Sequence, residues 1–195
     1  IKYDLQNPEF LWDTEYGATV TAWGKLFKKE LFKDIRFPVG ILSEDLYTLP
    51  IILFSQKYIA FTREQLYYYY YNPKGIMNSN WNLDKLTMLK AHKKQIKFFR
   101  KNKLYRALKR QRTSYCFALA SFILQINQLE NKEGLKKIIK KLTMHLKVQL
   151  FFKLKYSGYI PFTENKWIYD AAFPKMMRCY WLIVALKNKE RMFKS

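Results

Sequence analysis

Two adjacent carboxylates, Glu44 and Asp45, follow a turn bounded by Pro38 and Gly40 and precede an apolar run, LYTLPIILF. A carboxylate at the start of a helix meets unpaired backbone N–H groups, which favour its charged form. An ionised, positioned carboxylate is what proton abstraction requires of a general base. The same placement also serves a purely structural end, as an N-terminal helix carboxylate worth about 0.3–1 kcal/mol. Asp45 is the candidate base. Glu44 is the candidate orienting or structural group beside it.

The elements that must hold this pair are short and mixed. Residues 20–27 read as a strand and residues 28–33 as a short helix. Residues 44–55 read as a helix that Pro50 kinks or interrupts. Residues 57–61 and 66–71 read as strands, the second built on five consecutive tyrosines whose rings suit a pleated surface. Alternation along a strand would turn at least two of the five toward the core. Asn72-Pro73-Lys74-Gly75 is turn chemistry.

After Trp81 the pattern becomes helical. Asn82 is a cap for residues 83–103, where Leu86, Leu89, Ile96 and Phe99 share a face. Ser114 is a cap for residues 115–129, apolar nearly all round and therefore central. Gly134 precedes a third run, with Leu135, Ile138, Ile139, Leu142 and Leu146 on one face and Lys136, Lys137, Lys140 and Lys141 opposite. Ser157-Gly158 breaks it, and a fourth run spans residues 166–189 with an interruption at Pro174. Four helices with short links predict a small bundle.

The charge distribution divides the chain at the same place. Residues 1–80 carry nine Lys or Arg and nine Asp or Glu, so their net charge is zero. Residues 81–195 carry 27 Lys or Arg against six Asp or Glu, which is the whole of the formal +21. A hydrophobic content of 49% excludes a disordered chain. Cys116 and Cys179 lie in apolar runs and read as buried free thiols. With two His and no Cys-x-x-Cys, no metal-ligand spacing is present. The longest uninterrupted apolar run, residues 179–186, is far too short to span a bilayer. The basic rows with Trp167, Tyr169, Trp181 and Phe193 have three readings: contact with an anionic membrane surface, contact with nucleic acid, or solvated helix faces.

In order along the chain stand Trp23-Gly24-Lys25-Leu26, Arg36-Phe37-Pro38-Val39-Gly40 and Glu44-Asp45. This series resembles the second half of the catalytic domain of glycosyltransferase family 2. Members of that family typically read Trp-x-Lys-Leu, Arg-Phe-Pro-x-Gly and Glu-Asp. The resemblance runs over roughly residues 18–82, through the tyrosine-rich segment. It departs where the family has an Arg and then a Ser: Tyr70 or Asn72 stands at the first position and Gly75 at the second.

The resemblance implies an α/β fold, the C-terminal part of a nucleotide-diphospho-sugar transferase (GT-A type) domain in residues 1–80, followed by a basic helical domain in residues 81–195. It implies inverting transfer of a sugar from a nucleotide-diphospho-sugar to a hydroxyl of a glycan or lipid-linked acceptor, in bacterial surface polysaccharide synthesis. Asp45 would be the base and Glu44 its neighbour in the site. Trp23, Lys25 and Asn72 would be substrate-binding: Trp23 lining the acceptor cleft and Lys25 facing the donor phosphates or pairing with an acidic group of the site, with packing at a strand end as the plain alternative for both; the tyrosine run would offer a sugar-stacking wall, with core packing as its plain alternative. The family holds nucleotide and Mn²⁺ or Mg²⁺ through an Asp-x-Asp motif in its N-terminal half. None of the six Asp residues here forms that motif, so the chain reads as a C-terminal portion with the metal bound mainly elsewhere. The implied location is the cytoplasm, at the inner face of the membrane. The rival from another class is a non-enzymatic basic module that binds nucleic acid or anionic lipid.

Overall fold

Asn7 and Pro8 start the first helix. The Asn7 Oδ1 accepts the Glu9 N–H at 2.8 Å, and Pro8 sits in the first turn, where its missing N–H leaves no gap. The computed structural model describes residues 4–76 and 81–150 together with Trp167, Ile168, Ala171 and Ala172. Helix α1 (Pro8–Thr14) carries Trp12 into the interior, where it is fully buried. Its ring meets Tyr16, Phe54 and Phe99 edge-to-face at centroid distances of 5.2, 5.7 and 5.1 Å, the arrangement that ring quadrupoles favour. Helix α2 (Tyr16–Val20) follows at once.

Helix α3 (Glu44–Leu53) packs against α4 (Met88–Lys101). Pro50 lies inside α3, so it has no N–H to give the Leu46 carbonyl four residues back. The structure supplies another donor. The Gln95 Nε2 of α4, a side chain buried to 1% exposure, donates to the Leu46 carbonyl. The other face of α3 is covered from upstream: Leu49, Ile52 and Leu53 pack under Phe27, Leu31, Phe32, Ile35 and Phe37. A 3₁₀ turn, Lys29–Phe32, lies within that covering segment.

A second buried polar group joins α2, α4 and α5 (Tyr105–Gln128). The Tyr16 hydroxyl donates to Gln111 Oε1 at 3.1 Å. The Gln111 amide is then oriented to donate from Nε2 to His92 Nδ1 at 2.6 Å. His92 is therefore the neutral Nε2–H tautomer, and burial pushes its pKa down to about 4. Burial raises the Tyr16 pKa, against hydrogen bonds to Ser114 and Gln111 and the nearby Arg110 charge.

The chain divides into two compact units at Tyr115 and Cys116, within α5. The second is built on the apolar face of α5, with Leu119, Ile123 and Ile126 buried, and on α6 (Lys136–Val148), with Leu142 and Leu146 buried. Ile168, Ala171 and Ala172 are buried as well, and Phe117 packs against Trp167 at 5.4 Å. Cys116 is buried, whereas Cys179 lies outside the described residues. So do the break at Ser157-Gly158 and nearly all of the fourth helical run.

The expected α/β transferase fold is overturned. The described residues are mostly helical, and their strands are two, β1 (Asp4–Gln6) and β2 (Ile59–Phe61), paired antiparallel with Leu5 opposite Ala60. Residues 20–27 are not a strand but the end of α2 and an irregular turn. Residues 66–71 are irregular, and all five tyrosines are exposed rather than two facing inward. Aromatic residues favour strands only where a pleated, half-buried surface receives them. Here the apolar side chains of residues 27–37 pack on α3, and no neighbouring strand meets residues 66–71. Ser114 is not a cap either, since α5 starts at Tyr105 and takes in Arg106–Arg112 as helix. Asn82 does cap, accepting the Lys85 N–H at 3.2 Å ahead of the 3₁₀ turn Leu83–Thr87 that leads into α4. Packing between α3 and α4 crosses residue 81, where the charge changes.

The Gln95 contact yields a double-mutant test. Gln95→Leu should cost about 1–2 kcal/mol, because it strands a buried carbonyl while also removing the unpartnered Gln95 Oε1. In a Pro50→Ala background the cost should shrink, since an alanine at that position has an N–H of its own for the Leu46 carbonyl. Chemical denaturation of the four proteins measures it; strictly additive losses would contradict this account of Pro50.

Candidate functional site

The acid pair is delivered by a loop in two left-handed steps. Gly40 has φ +71° and Ser43, directly before the pair, has φ +65°. A left-handed conformation costs an ordinary residue roughly 1–2 kcal/mol, and such strain persists only where surroundings enforce it. Three contacts from α4 and its lead-in turn do so. The Leu42 N–H donates to Thr87 Oγ1 at 3.0 Å, and that hydroxyl donates onward to the Asp84 carbonyl at 2.6 Å. Gln95 holds the Leu46 carbonyl, and the Lys94 ammonium sits 3.6 Å from the centroid of the Tyr47 ring. Residues 42, 46 and 47 are thus pinned on both sides of Glu44 and Asp45.

Glu44 is exposed and Asp45 half-buried, both in the first turn of α3. Asp45 Oδ1 accepts the Leu46 N–H at 2.6 Å. Its charge is also felt by Lys25. The Lys25 ammonium donates to the Ala18 and Thr21 carbonyls at the C-terminal end of α2, where a cation complements the helix dipole. Burial lowers the Lys25 pKa to about 8, and attraction to Asp45 opposes that shift. The structure therefore brings Lys25 and Asp45 into one electrostatic neighbourhood, from positions twenty residues apart in sequence.

Trp23 points to a different neighbour. Its ring stacks on Tyr67 at 5.2 Å with planes 20° apart, and lies tilted against Tyr69 at 5.1 Å. Gly24, at φ +66°, makes the turn that separates the Trp23 and Lys25 directions; a Cβ there would touch Tyr67 and force a strained backbone. Asn72 closes its own turn, its Oδ1 accepting the Lys74 N–H at 3.0 Å and its carbonyl the Gly75 N–H at 3.0 Å. Sequence reasoning missed Tyr67 and Tyr69 as ring partners of Trp23, and missed Thr87, Lys94 and Gln95 as the positioning set. A mid-helix proline opposite a glutamine on an apolar helix face was the available signal for Gln95.

Among the described residues no three His, Cys, Asp or Glu side chains gather where they could hold a metal ion. Two neighbouring carboxylates do not by themselves fit Mn²⁺ or Mg²⁺, which take several oxygen ligands in a near-octahedral shell.

Part of the chain is related to a glycosyltransferase. Over 65 residues, 33% of the chain, it is 40% identical to the glycosyltransferase GlyA of Streptococcus pneumoniae serotype 4. That span is 9% of the pneumococcal protein, so the matched segment covers less than a tenth of the length of the curated relative. No protein-family model matches the chain, and no solved structure does.

The Lys25–Asp45 coupling is measurable. Asp45→Asn removes the one charge that raises the Lys25 pKa, so that pKa should fall below about 8. Titration of the Lys25 side chain by heteronuclear NMR reads it directly, and an unchanged or higher value would show that the two groups do not interact.

Proposed function

We propose that this chain forms part of a glycosyltransferase that moves a sugar from a nucleotide-diphospho-sugar to an acceptor hydroxyl with inversion. The single observation that carries the reading is the pinned acid pair: Glu44-Asp45 follows a strained loop and is fixed on both sides by α4, in a chain related over 65 residues to a glycosyltransferase. Asp45 is the base. Its free carboxylate oxygen takes the proton of the acceptor hydroxyl as that oxygen attacks the anomeric carbon, and the nucleoside diphosphate leaves from the opposite face with the bonding electrons. Glu44, exposed beside it, orients the acceptor. Lys25 places a cation near Asp45 and ties the end of α2 to the site. Trp23 faces the acceptor, and Asn72 belongs to a turn that borders the donor. Mn²⁺ or Mg²⁺ is held mainly by residues outside this acid pair. The setting is assembly of a surface polysaccharide on a glycan or lipid-linked acceptor.

In protein expressed from the whole gene, Asp45→Asn should lower turnover at least about a hundredfold, the lower end for a lost general base, while donor binding stays near that of the parent. Nucleoside diphosphate release from UDP-glucose and UDP-galactose checks it. Near-parental turnover would remove Asp45 from the mechanism.

The basic helices support a second part of the reading, peripheral contact with an anionic membrane at its cytoplasmic face. Helix α4 carries six Lys or Arg, α5 four and α6 five, and none of the three has an Asp or Glu. On α4, Lys90, Lys93, Lys97 and Arg100 are exposed at helical spacing; on α6, Lys136, Lys137, Lys140 and Lys141 are exposed. No helix among the described residues is long and apolar enough to cross a membrane. Binding to vesicles should rise with phosphatidylserine content and fall with salt, because exposed charges are screened over about 8–10 Å. Charge reversal at Lys136, Lys137, Lys140 and Lys141 should weaken it without unfolding the protein. Equal or tighter binding to duplex DNA at the same salt would favour the nucleic-acid module instead, and binding to neither would leave the lysines as solvated helix faces.

A further inference from the structure

We propose that Trp23, Tyr67 and Tyr69 form a binding platform for a neutral pyranose ring of the acceptor saccharide. The proposal rests on the transferase reading above and adds to it the chemistry of what is recognised. The three rings touch, at 5.2 and 5.1 Å, yet each keeps about half its surface open: 46% for Trp23, 52% for Tyr67 and 61% for Tyr69. Rings that touch one another and stay about half exposed make a contiguous apolar surface, a feature that on a folded protein often marks an interaction site.

The chemistry of the surface selects the occupant. Here the segment gives tyrosines, which offer a flat apolar face and a hydroxyl on one rigid side chain. A pyranose has the same division, with axial C–H bonds on its face and hydroxyls on its rim. Charge selects further. In a chain with 36 Lys or Arg, residues 66–72 hold no charged group at all. That absence disfavours an anionic lipid or a polyanion as the occupant and suits a neutral sugar.

Position completes the argument. The backbone that presents Trp23 turns at Gly24 and, one residue on, presents Lys25 to the neighbourhood of Asp45. Of the rings that would hold the sugar, Trp23 is thereby two residues along the chain from Lys25, whose pKa is raised by the Asp45 charge against the lowering by burial. Holding the acceptor ring against this wall converts a second-order encounter into a positioned one. Trp23, Tyr67 and Tyr69 are binding residues in this scheme and take no part in proton transfer.

The test uses the chain itself and three neutral probes: maltotetraose, cellotetraose and chitotetraose. Saturation-transfer NMR and titration calorimetry should show at least one binding with a dissociation constant in the millimolar range. Trp23→Ala and Tyr67→Ala should each weaken it at least tenfold. Trp23→Phe, which keeps a ring, should retain it within a few-fold, and Tyr68→Ala, outside the ring contacts, should leave it unchanged. Saccharide binding and sugar transfer are read in separate assays, which separates the two proposals. Saccharide binding without sugar transfer by the whole-gene product would remove the transferase reading and keep the platform. Failure of all three probes, or binding indifferent to Trp23 and Tyr67, would overturn the platform whatever the transfer assay shows.

Discussion

The Leu46 carbonyl is the point on which the first unit depends. A proline four residues on denies it the helical donor, and a buried carbonyl without a partner costs about 1–3 kcal/mol. Gln95 answers from another helix. A hydrogen bond that would have been internal to α3 is thereby turned into a tie between α3 and α4. The same tie fixes the rotation of α3 about its axis and so the direction in which its first turn presents Glu44 and Asp45. Thr87 and Lys94 add contacts before and after the pair. Contacts on three residues flanking the pair resist both sliding and twisting, which a single contact would not. This is why the loop can hold Ser43 at a positive φ without a glycine.

Two further polar groups of the unit, His92 and Lys25, are accommodated in different ways. His92 stays neutral because its Nδ1 is an acceptor for Gln111, whose own acceptor is filled by Tyr16. The three side chains form a donor–acceptor chain with one sense, from Tyr16 through Gln111 to His92, so no charge has to be desolvated there. Lys25 follows the opposite course. Its amine is partly buried and donates to the Ala18 and Thr21 carbonyls. The pKa near 8 is the balance of burial, which lowers it, against the Asp45 charge, which raises it. Removing that charge shifts a group that sits in the midst of the proposed site.

Much of the helical half is legible in the chain, and little of the first eighty residues is. Leu89, Ile96 and Phe99 fall on one face of α4, and Leu142 and Leu146 on one face of α6, because a 3.6-residue period survives whatever packs on it. Asn82 caps as its residue type suggests. The start of α5 is hidden because Arg106–Arg112 shows no apolar period; its helicity continues from the buried Ala107, Leu108 and Gln111. Strand readings fail for a different reason. A strand is a relation between two segments, and residues 20–27 and 66–71 carry the propensity without the partner. For the candidate site, the order Trp23, Lys25, Glu44-Asp45 is visible in the chain. That Lys25 turns toward Asp45 while Trp23 turns toward the tyrosines depends on the positive φ of Gly24, which a glycine permits but does not announce.

The distribution of charge has a physical sense within each unit. Helices α4 and α6 expose lysines on the side away from their apolar stripes, and no acidic residue in either helix neutralises them. Two ion pairs among the described residues, Arg63 with Glu15 and Arg106 with Asp13, draw their acids from elsewhere and leave those lysines untouched. A field of one sign repels itself and lowers stability unless it meets a counter-charge. The acid pair at α3 and the uncharged ring surface lie in residues 1–80, whose net charge is zero. A neutral, hydroxyl-rich ligand approaching the rings strips no ion of its water, whereas an anionic surface approaching α4 or α6 gains from every lysine it neutralises. The chain thus carries two kinds of surface, uncharged rings and lysine-bearing helix faces, and the two proposals assign them ligands of different chemistry, a neutral sugar to the one and an anionic surface to the other.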